Sequence, residues 1–145
     1  MDPAATPSPQ TDAAMRVFVV EDSPVIRERL LAMLAGIDDT KAVGVAATAG
    51  EAIEGIVAAR PDVVVLDLRL AEGSSGIEVL RALRAKDLAV EAIDVYLLTN
   101  FAEAPYRRVA ERLGVQGFFD KSTEFERVRD VLAARARAIR VDRMH

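Results

Sequence analysis

Short apolar runs and longer amphipathic stretches alternate from one end of the chain to the other. RVFVV, residues 16–20, is a β-branched and aromatic run that predicts a strand. After it, Ser23 stands as a candidate helix cap and Pro24 at the first helical position, and Ile26, Leu30, Met33, Leu34 and Ile37 recur at helical spacing up to a stop near Gly36. AVGVAA, 42–47, predicts a weaker second strand. Thr48 and Glu51 then have the spacing of a capping box for a helix that carries Ala52, Ile56 and Ala59 on one face and ends before Pro61. DVVVLD, 62–67, predicts the third strand, and the proline-free loop LRLAEGSS after it reads as long and flexible. Ser75 and Glu78 box the next helix, with Val79, Leu80 and Leu83 as its apolar stripe. DVYLL, 94–98, is a fourth strand ending at Thr99, followed by a helix from Pro105 to Leu113 that Gly114 stops. GFFD, 117–120, supplies a fifth strand, and Thr123 with Glu126 predicts a boxed start for a last helix bearing Phe125, Val128, Leu132, Ala136 and Ile139.

Strands this continuously apolar are covered on both faces, and strict alternation with helices implies right-handed crossovers and a parallel sheet. The expected architecture is a doubly wound α/β sandwich of five strands and five helices in one domain. Residues 15–140 form that domain, between a proline-rich tail at 1–14 that reads as disordered and a short tail at 141–145. Too few residues follow 140 to fold as an output domain, which leaves a stand-alone unit or the excised part of a longer chain.

The polar residues are concentrated where the strands end. The first strand runs into Glu21 and Asp22, the third into Asp67, the fourth into Thr99 and the fifth into Asp120 and Lys121. Each alone has an ordinary reading: a turn-forming aspartate, acids favouring a helix's positive end, a solvated lysine, a backbone-bonded hydroxyl. In open parallel sheets, however, ligands bind outside the carboxyl ends of the strands where the winding reverses. With the strand order 2-1-3-4-5, the first and third strands flank that point, so Glu21, Asp22 and Asp67 converge. Like charges that close destabilise the fold unless something positive compensates. Mg²⁺ suits such a set because it takes a few carboxylate oxygens, keeps several waters and leaves room for a phosphoryl oxygen. Lys121 adds positive charge from the far side and Thr99 a hydroxyl. The set could carry a phosphoryl group on Asp67.

Composition narrows the alternatives. A net charge of −4 gives the chain as a whole no reason to seek nucleic acid or an anionic membrane, and no apolar stretch is long enough to span a bilayer. Cysteine is absent, which excludes thiolate chemistry and fits a cytoplasmic location, and the only histidine is His145, which argues against a histidine-based triad or metal site. The last helix is rich in arginine, at 127, 129, 135, 137, 140 and 143, and reads as a solvated face or as a partner surface.

Taken in order, VVEDSP, VVVLDLRL, LLTN and GFFDKS resemble the motifs of the receiver domain of bacterial two-component response regulators, over about residues 15 to 140. The resemblance implies the flavodoxin-like (βα)5 fold of the chemotaxis-regulator type, and a domain that is a phosphoacceptor in signalling rather than an enzyme acting on other substrates. It implies Asp67 as phosphoacceptor, and Glu21 and Asp22 as the acidic pair for Mg²⁺, with Asp22 favoured as direct ligand and the Arg69 backbone carbonyl as a further one. Thr99 is then the switch hydroxyl, Lys121 its cationic partner, and Phe118 either a rotamer switch or a plain core aromatic. A sensor histidine kinase or histidine phosphotransfer protein is the implied donor; for self-association, a homodimer through the fourth helix, fifth strand and fifth helix is the expectation. Ser122 departs from the pattern, since a proline commonly follows the lysine, and Asn100 stands where a small residue is common. Two other readings compete: a degenerate receiver that only binds partners, and a Mg²⁺-dependent aspartyl phosphatase of the haloacid dehalogenase sort, whose second acid would stand where Arg69 is.

Overall fold

The computed structural model describes residues 13–85, 93–100 and 104–144. Most of the predicted N-terminal tail, residues 1–12, lies outside them, as does His145. Five strands, β1 (Met15–Val20), β2 (Thr40–Ala46), β3 (Val63–Leu66), β4 (Asp94–Thr99) and β5 (Gly117–Asp120), form one parallel sheet in the order β2-β1-β3-β4-β5. Among the described residues, five helices alternate with them: α1 (Pro24–Ala35), α2 (Ala49–Ala59), α3 (Gly76–Arg84), α4 (Ala104–Arg112) and α5 (Phe125–Arg143). The flavodoxin-like fold and strand order expected from the sequence are the ones observed.

Alternation along the strands sorts the core into two layers. Met15, Val17, Val19, Val63, Val65, Tyr96, Leu98 and Phe119 pack with Leu30 and Leu34 of α1 and with Phe125, Val128, Leu132, Ala136 and Ile139 of α5. Phe18, Val20, Val64, Leu66, Val95, Leu97 and Phe118 face the other way, onto Ala52 and Ile56 of α2, Val79, Leu80 and Leu83 of α3 and Ala110 of α4. β3 is buried along its whole length because helices cover both its faces.

Phe18 shows how closely the layers fit. A Cβ on Gly44 of β2 would come 2.5 Å from its ring, and one on Gly55 of α2 would come 2.6 Å from it. The ring therefore needs both glycines. The β1–β2 register shifts by one residue at that point, between Val17 and Phe18.

Local signals and structure part company at four places. β2 begins at Thr40, two residues before the predicted start, because an edge strand with a largely exposed face tolerates Thr40 and Lys41. The Thr48–Glu51 box is half formed: the Thr48 hydroxyl accepts from the Glu51 amide at 3.2 Å, but the Glu51 carboxylate accepts from the Ala47 amide instead of from that of Thr48. The Ser75–Glu78 box is complete. The predicted box at Thr123 and Glu126 does not form; α5 starts at Phe125 after Glu124, which makes no side-chain cap, and it continues to Arg143, past the boundary drawn at 140. The loop after β3 is closed rather than loose. A 3₁₀ turn spans Ala71–Gly73 with Glu72 and Gly73 at positive φ, the Ser74 hydroxyl donates to the Ala71 carbonyl and accepts from the Ala49 amide, and Arg69 bridges to Ser75.

Candidate functional site

The register of β1 with β3 pairs Val20 with Leu66, so the next residue of each strand, Glu21 and Asp67, emerges side by side at the carboxyl rim. Backbone bonds hold both: the Glu21 amide donates to the Ala46 carbonyl at 2.9 Å and the Asp67 amide to the Val20 carbonyl at 3.1 Å. The register of β4 with β5 sets Thr99 beside Asp120, and the Lys121 amide donates to the Thr99 carbonyl at 2.9 Å. Topology thus gathers residues up to a hundred positions apart.

Among the described residues, the buried polar or charged side chains are Glu21, Asp67, Thr99 and Lys121. All four were picked out from strand ends. Lys121 Nζ lies 2.6 Å from Glu21 Oε1 and 2.5 Å from Asp67 Oδ2. The other Glu21 oxygen accepts from the Ser23 amide at 2.9 Å, which ties the acid to the start of α1. Asp22 is exposed, yet oxygen atoms of Glu21, Asp22 and Asp67 lie within 4.8 Å of one another. The cleft around them is also lined by Ser23, Ile26, Arg29, Arg69, Asn100 and Ser122. Thr99 is fully buried at the end of β4, one residue before Asn100. Phe118 is buried in the layer of α2, α3 and α4, with the Arg107 guanidinium 4.5 Å above its ring.

Burial pushes the Glu21 carboxyl above the usual carboxylate range, against the opposing pull of the Lys121 hydrogen bond, while the Asp67 charge pushes the same way as burial. Burial acts to lower Lys121, but hydrogen bonds to Asp67 and Glu21 and their charges outweigh it and raise the ammonium pKa. When all are ionised, three carboxylates against one ammonium leave a formal charge of −2. This hard-oxygen set, with one exposed acid and two buried ones, fits a divalent cation of the Mg²⁺ type.

Two features were not picked out from the sequence. Gly76 opens α3, and a Cβ there would fall 2.1 Å from the Asp67 carbonyl oxygen, so the helix start abuts the strand end that carries the acid. A glycine at the first position of a helix, where its propensity is poor, was the available signal. Arg29 of α1 lies 3.9 Å above the Phe125 ring and lines the cleft. Nothing in local sequence points to that stacking.

A doubly wound sheet with an acidic cluster and a buried lysine where its winding reverses defines an α/β domain whose charged site lies at the carboxyl rim. The family model for the response regulator receiver domain matches residues 17–133, and the chain belongs to that family. Similarity to individual proteins agrees. The chain is 34% identical over 126 residues to the DNA-binding transcriptional activator DevR/DosR of Mycobacterium tuberculosis, covering 84% of this chain and 56% of that protein. It is 37% identical over 93 residues to the transcriptional regulatory protein BtsR of Salmonella typhi, covering 61% of this chain and 38% of that protein. It therefore spans about half or less of the curated relatives it matches first. Among solved structures, the response regulator domain of Thermotoga maritima CheB superposes with a TM-score of 0.73 at 28% identity, covering 88% of this chain and 96% of that one. The signal receiver domain of the putative regulator NarL from Mycobacterium tuberculosis gives 0.74 at 29%, covering 86% and 97%. No helix among the described residues is long and apolar enough to cross a membrane.

Proposed function

We propose that this receiver domain takes a phosphoryl group onto Asp67 from a sensor histidine kinase or a histidine phosphotransfer protein, with Mg²⁺ as cofactor, and that the modified state changes its association with a partner or with itself. The observation that carries the reading is the pairing of Lys121 with both Glu21 and Asp67 inside a cleft whose third acid, Asp22, stays open to solvent.

One Asp67 carboxylate oxygen attacks the phosphorus of a phosphohistidine in line with the departing nitrogen. A P–O bond forms, the P–N bond breaks, and the ring nitrogen keeps the electron pair, leaving as neutral imidazole because the ring's other nitrogen carries a proton. Bound Mg²⁺ supplies charge neutralisation for the phosphoryl oxygens. Asp22, Glu21, Asp67 and the Arg69 backbone carbonyl would hold it. Lys121 keeps the Asp67 carboxylate fixed before transfer and pairs with a phosphoryl oxygen after it. Thr99 turns its hydroxyl toward the new group, and Phe118, already buried under Arg107, is the aromatic that responds by changing rotamer. The face of α4, β5 and α5 is where association responds. DNA binding is named for the Mycobacterium relative, but a net charge of −4 favours a protein partner for this chain.

Incubation with acetyl phosphate and Mg²⁺ tests the reading by intact mass. The wild type should gain one phosphoryl group and Asp67→Asn none; equal uptake by the variant would overturn it.

A further inference from the structure

Lys121 reaches two carboxylates on neighbouring strands, although it stands just past the end of the sheet in a turn with no proline to stiffen it. A lysine side chain is long and rich in rotamers, so where its ammonium rests depends on how firmly its backbone is held. The surrounding turn is closed by side chains. The Asp120 carboxylate accepts from the Ser122 hydroxyl at 2.6 Å and from the Ser122 amide at 2.8 Å, arching over Lys121. The Glu124 carboxylate accepts from the Asp120 amide at 3.0 Å, and the Glu124 amide donates back to the Asp120 carbonyl at 2.9 Å. On the sheet side, the Lys121 amide is anchored on the Thr99 carbonyl. Every bond of this set flanks Lys121, and the Lys121–Ser122 peptide is trans.

We propose that Asp120, Ser122 and Glu124 are positioning residues for Lys121: their closed turn fixes the backbone on both sides of the lysine and so aims its ammonium at Glu21 and Asp67. The inference rests on the phosphoacceptor reading for its consequence but not for its geometry. Hydrogen bonds from the Ser122 hydroxyl and amide, with lesser ones from Thr123, hold the Asp120 carboxyl below the usual carboxylate range, in keeping with an ionised acceptor closing the turn. The same set accounts for the lost cap of α5, since Glu124 is engaged with Asp120 and the turn ends where the predicted box would have begun.

The test reads the lysine directly. The chain has three lysines, Lys41, Lys86 and Lys121, so side-chain ammonium nitrogen resonances of ¹⁵N-labelled, metal-free protein are few, and Lys121→Arg assigns the one in question. The wild type should show a slowly exchanging Lys121 ammonium. Asp120→Ala and Ser122→Ala should broaden or lose that signal while the backbone spectrum of the sheet is retained, and should slow uptake from acetyl phosphate by about tenfold or more, as misplaced groups do. Ser122→Thr, which keeps the hydroxyl and amide, should restore both. A Lys121 signal and uptake rate unchanged in Asp120→Ala and Ser122→Ala would overturn the proposal. If the wild type takes up no phosphoryl group but its Lys121 signal still depends on Asp120 and Ser122, the positioning stands and the phosphoacceptor reading falls.

Discussion

The two rims of the sheet carry acid–base pairs of opposite kinds. At the carboxyl rim one lysine is shared by two carboxylates, and all three side chains are at most 9% exposed. At the amino rim three arginines of α5 reach three aspartates near the starts of strands: Arg135 pairs with Asp94 at 2.6 Å, Arg140 with Asp39, and Arg143 with Asp62. Those arginines are each more than a third exposed. Arg143 also donates to the Ala14 carbonyl, so the last helix is strapped to the beginning of the fold. Solvent screens the amino-rim pairs and leaves each with a small structural role. At the carboxyl rim the charges are withdrawn from water, where each depends on the others and on whatever cation or anion arrives.

The sharpest way to break the comparison is to remove the shared cation. Lys121→Met leaves Glu21 and Asp67 facing each other without a partner and should cost about 3 to 5 kcal/mol at neutral pH, measured by urea unfolding without metal. The cost should shrink in acid, where the carboxyls take up protons, and on addition of Mg²⁺. The raised Lys121 pKa also has a sign. Stability from the ion pair is complete below the ordinary lysine pKa and is lost as pH climbs through the raised value, so the wild type should weaken on that alkaline limb and Lys121→Met should not show it.

Gly76→Ala should cost about 1 to 3 kcal/mol, because the new methyl meets the Asp67 backbone and not a flexible side chain, and it should also depress phosphoryl uptake. Gly50→Ala in α2 meets nothing within 4 Å and should instead gain about 0.5 to 1 kcal/mol, which makes it a control for the chemistry of the substitution.

Glu21→Gln separates folding from metal binding. Glu21 is raised chiefly by burial, so stability linked to its protonated form is full below its unfolded pKa and declines as pH rises through the folded one. The neutral amide should therefore leave the metal-free protein at least as stable at pH 7 while weakening the response to Mg²⁺. In the wild type, Mg²⁺ affinity should fall with pH as the metal competes with protons at this acid, an effect calorimetric titration would measure.

The smallest effects belong to the amino rim. Arg135→Ala, Arg140→Ala and Arg143→Ala should each cost about 0.2 to 1 kcal/mol, less at high salt, without changing phosphoryl uptake. A loss from any of them as large as that of Lys121→Met would erase the distinction between the rims.

The same contrast explains what could be read from the sequence. At the carboxyl rim a polar residue interrupts an apolar strand, as at Leu66 to Asp67 and Val20 to Glu21, and that interruption is visible locally even though the partners are far away. At the amino rim Asp39 and Asp62 stand just before strands and Asp94 opens β4, as acids at strand starts commonly do, and the arginines that find them are 41 to 101 residues distant on a helix already rich in arginine. A basic helix read as a solvated face or partner surface was the natural expectation, and three of its six arginines are instead straps. The start of α5 was misread for a different reason. Thr123 and Glu126 have the right spacing, but the Thr123 amide and hydroxyl are both engaged with the Asp120 carboxylate instead. Gly76 could not be recognised from spacing alone, because its need for a missing methyl arises from a strand end nine positions earlier.

If the charges of the carboxyl rim converge to make residue 67 the phosphoacceptor, the phosphoryl group sits on that one carboxylate. Reduction of the acetyl phosphate-treated, Mg²⁺-loaded protein with borohydride, followed by peptide mass mapping, tests it most directly. Asp67 should be converted, with Asp22 and Glu21 untouched. Conversion at another acid, or uptake that survives in Asp67→Asn, would contradict it.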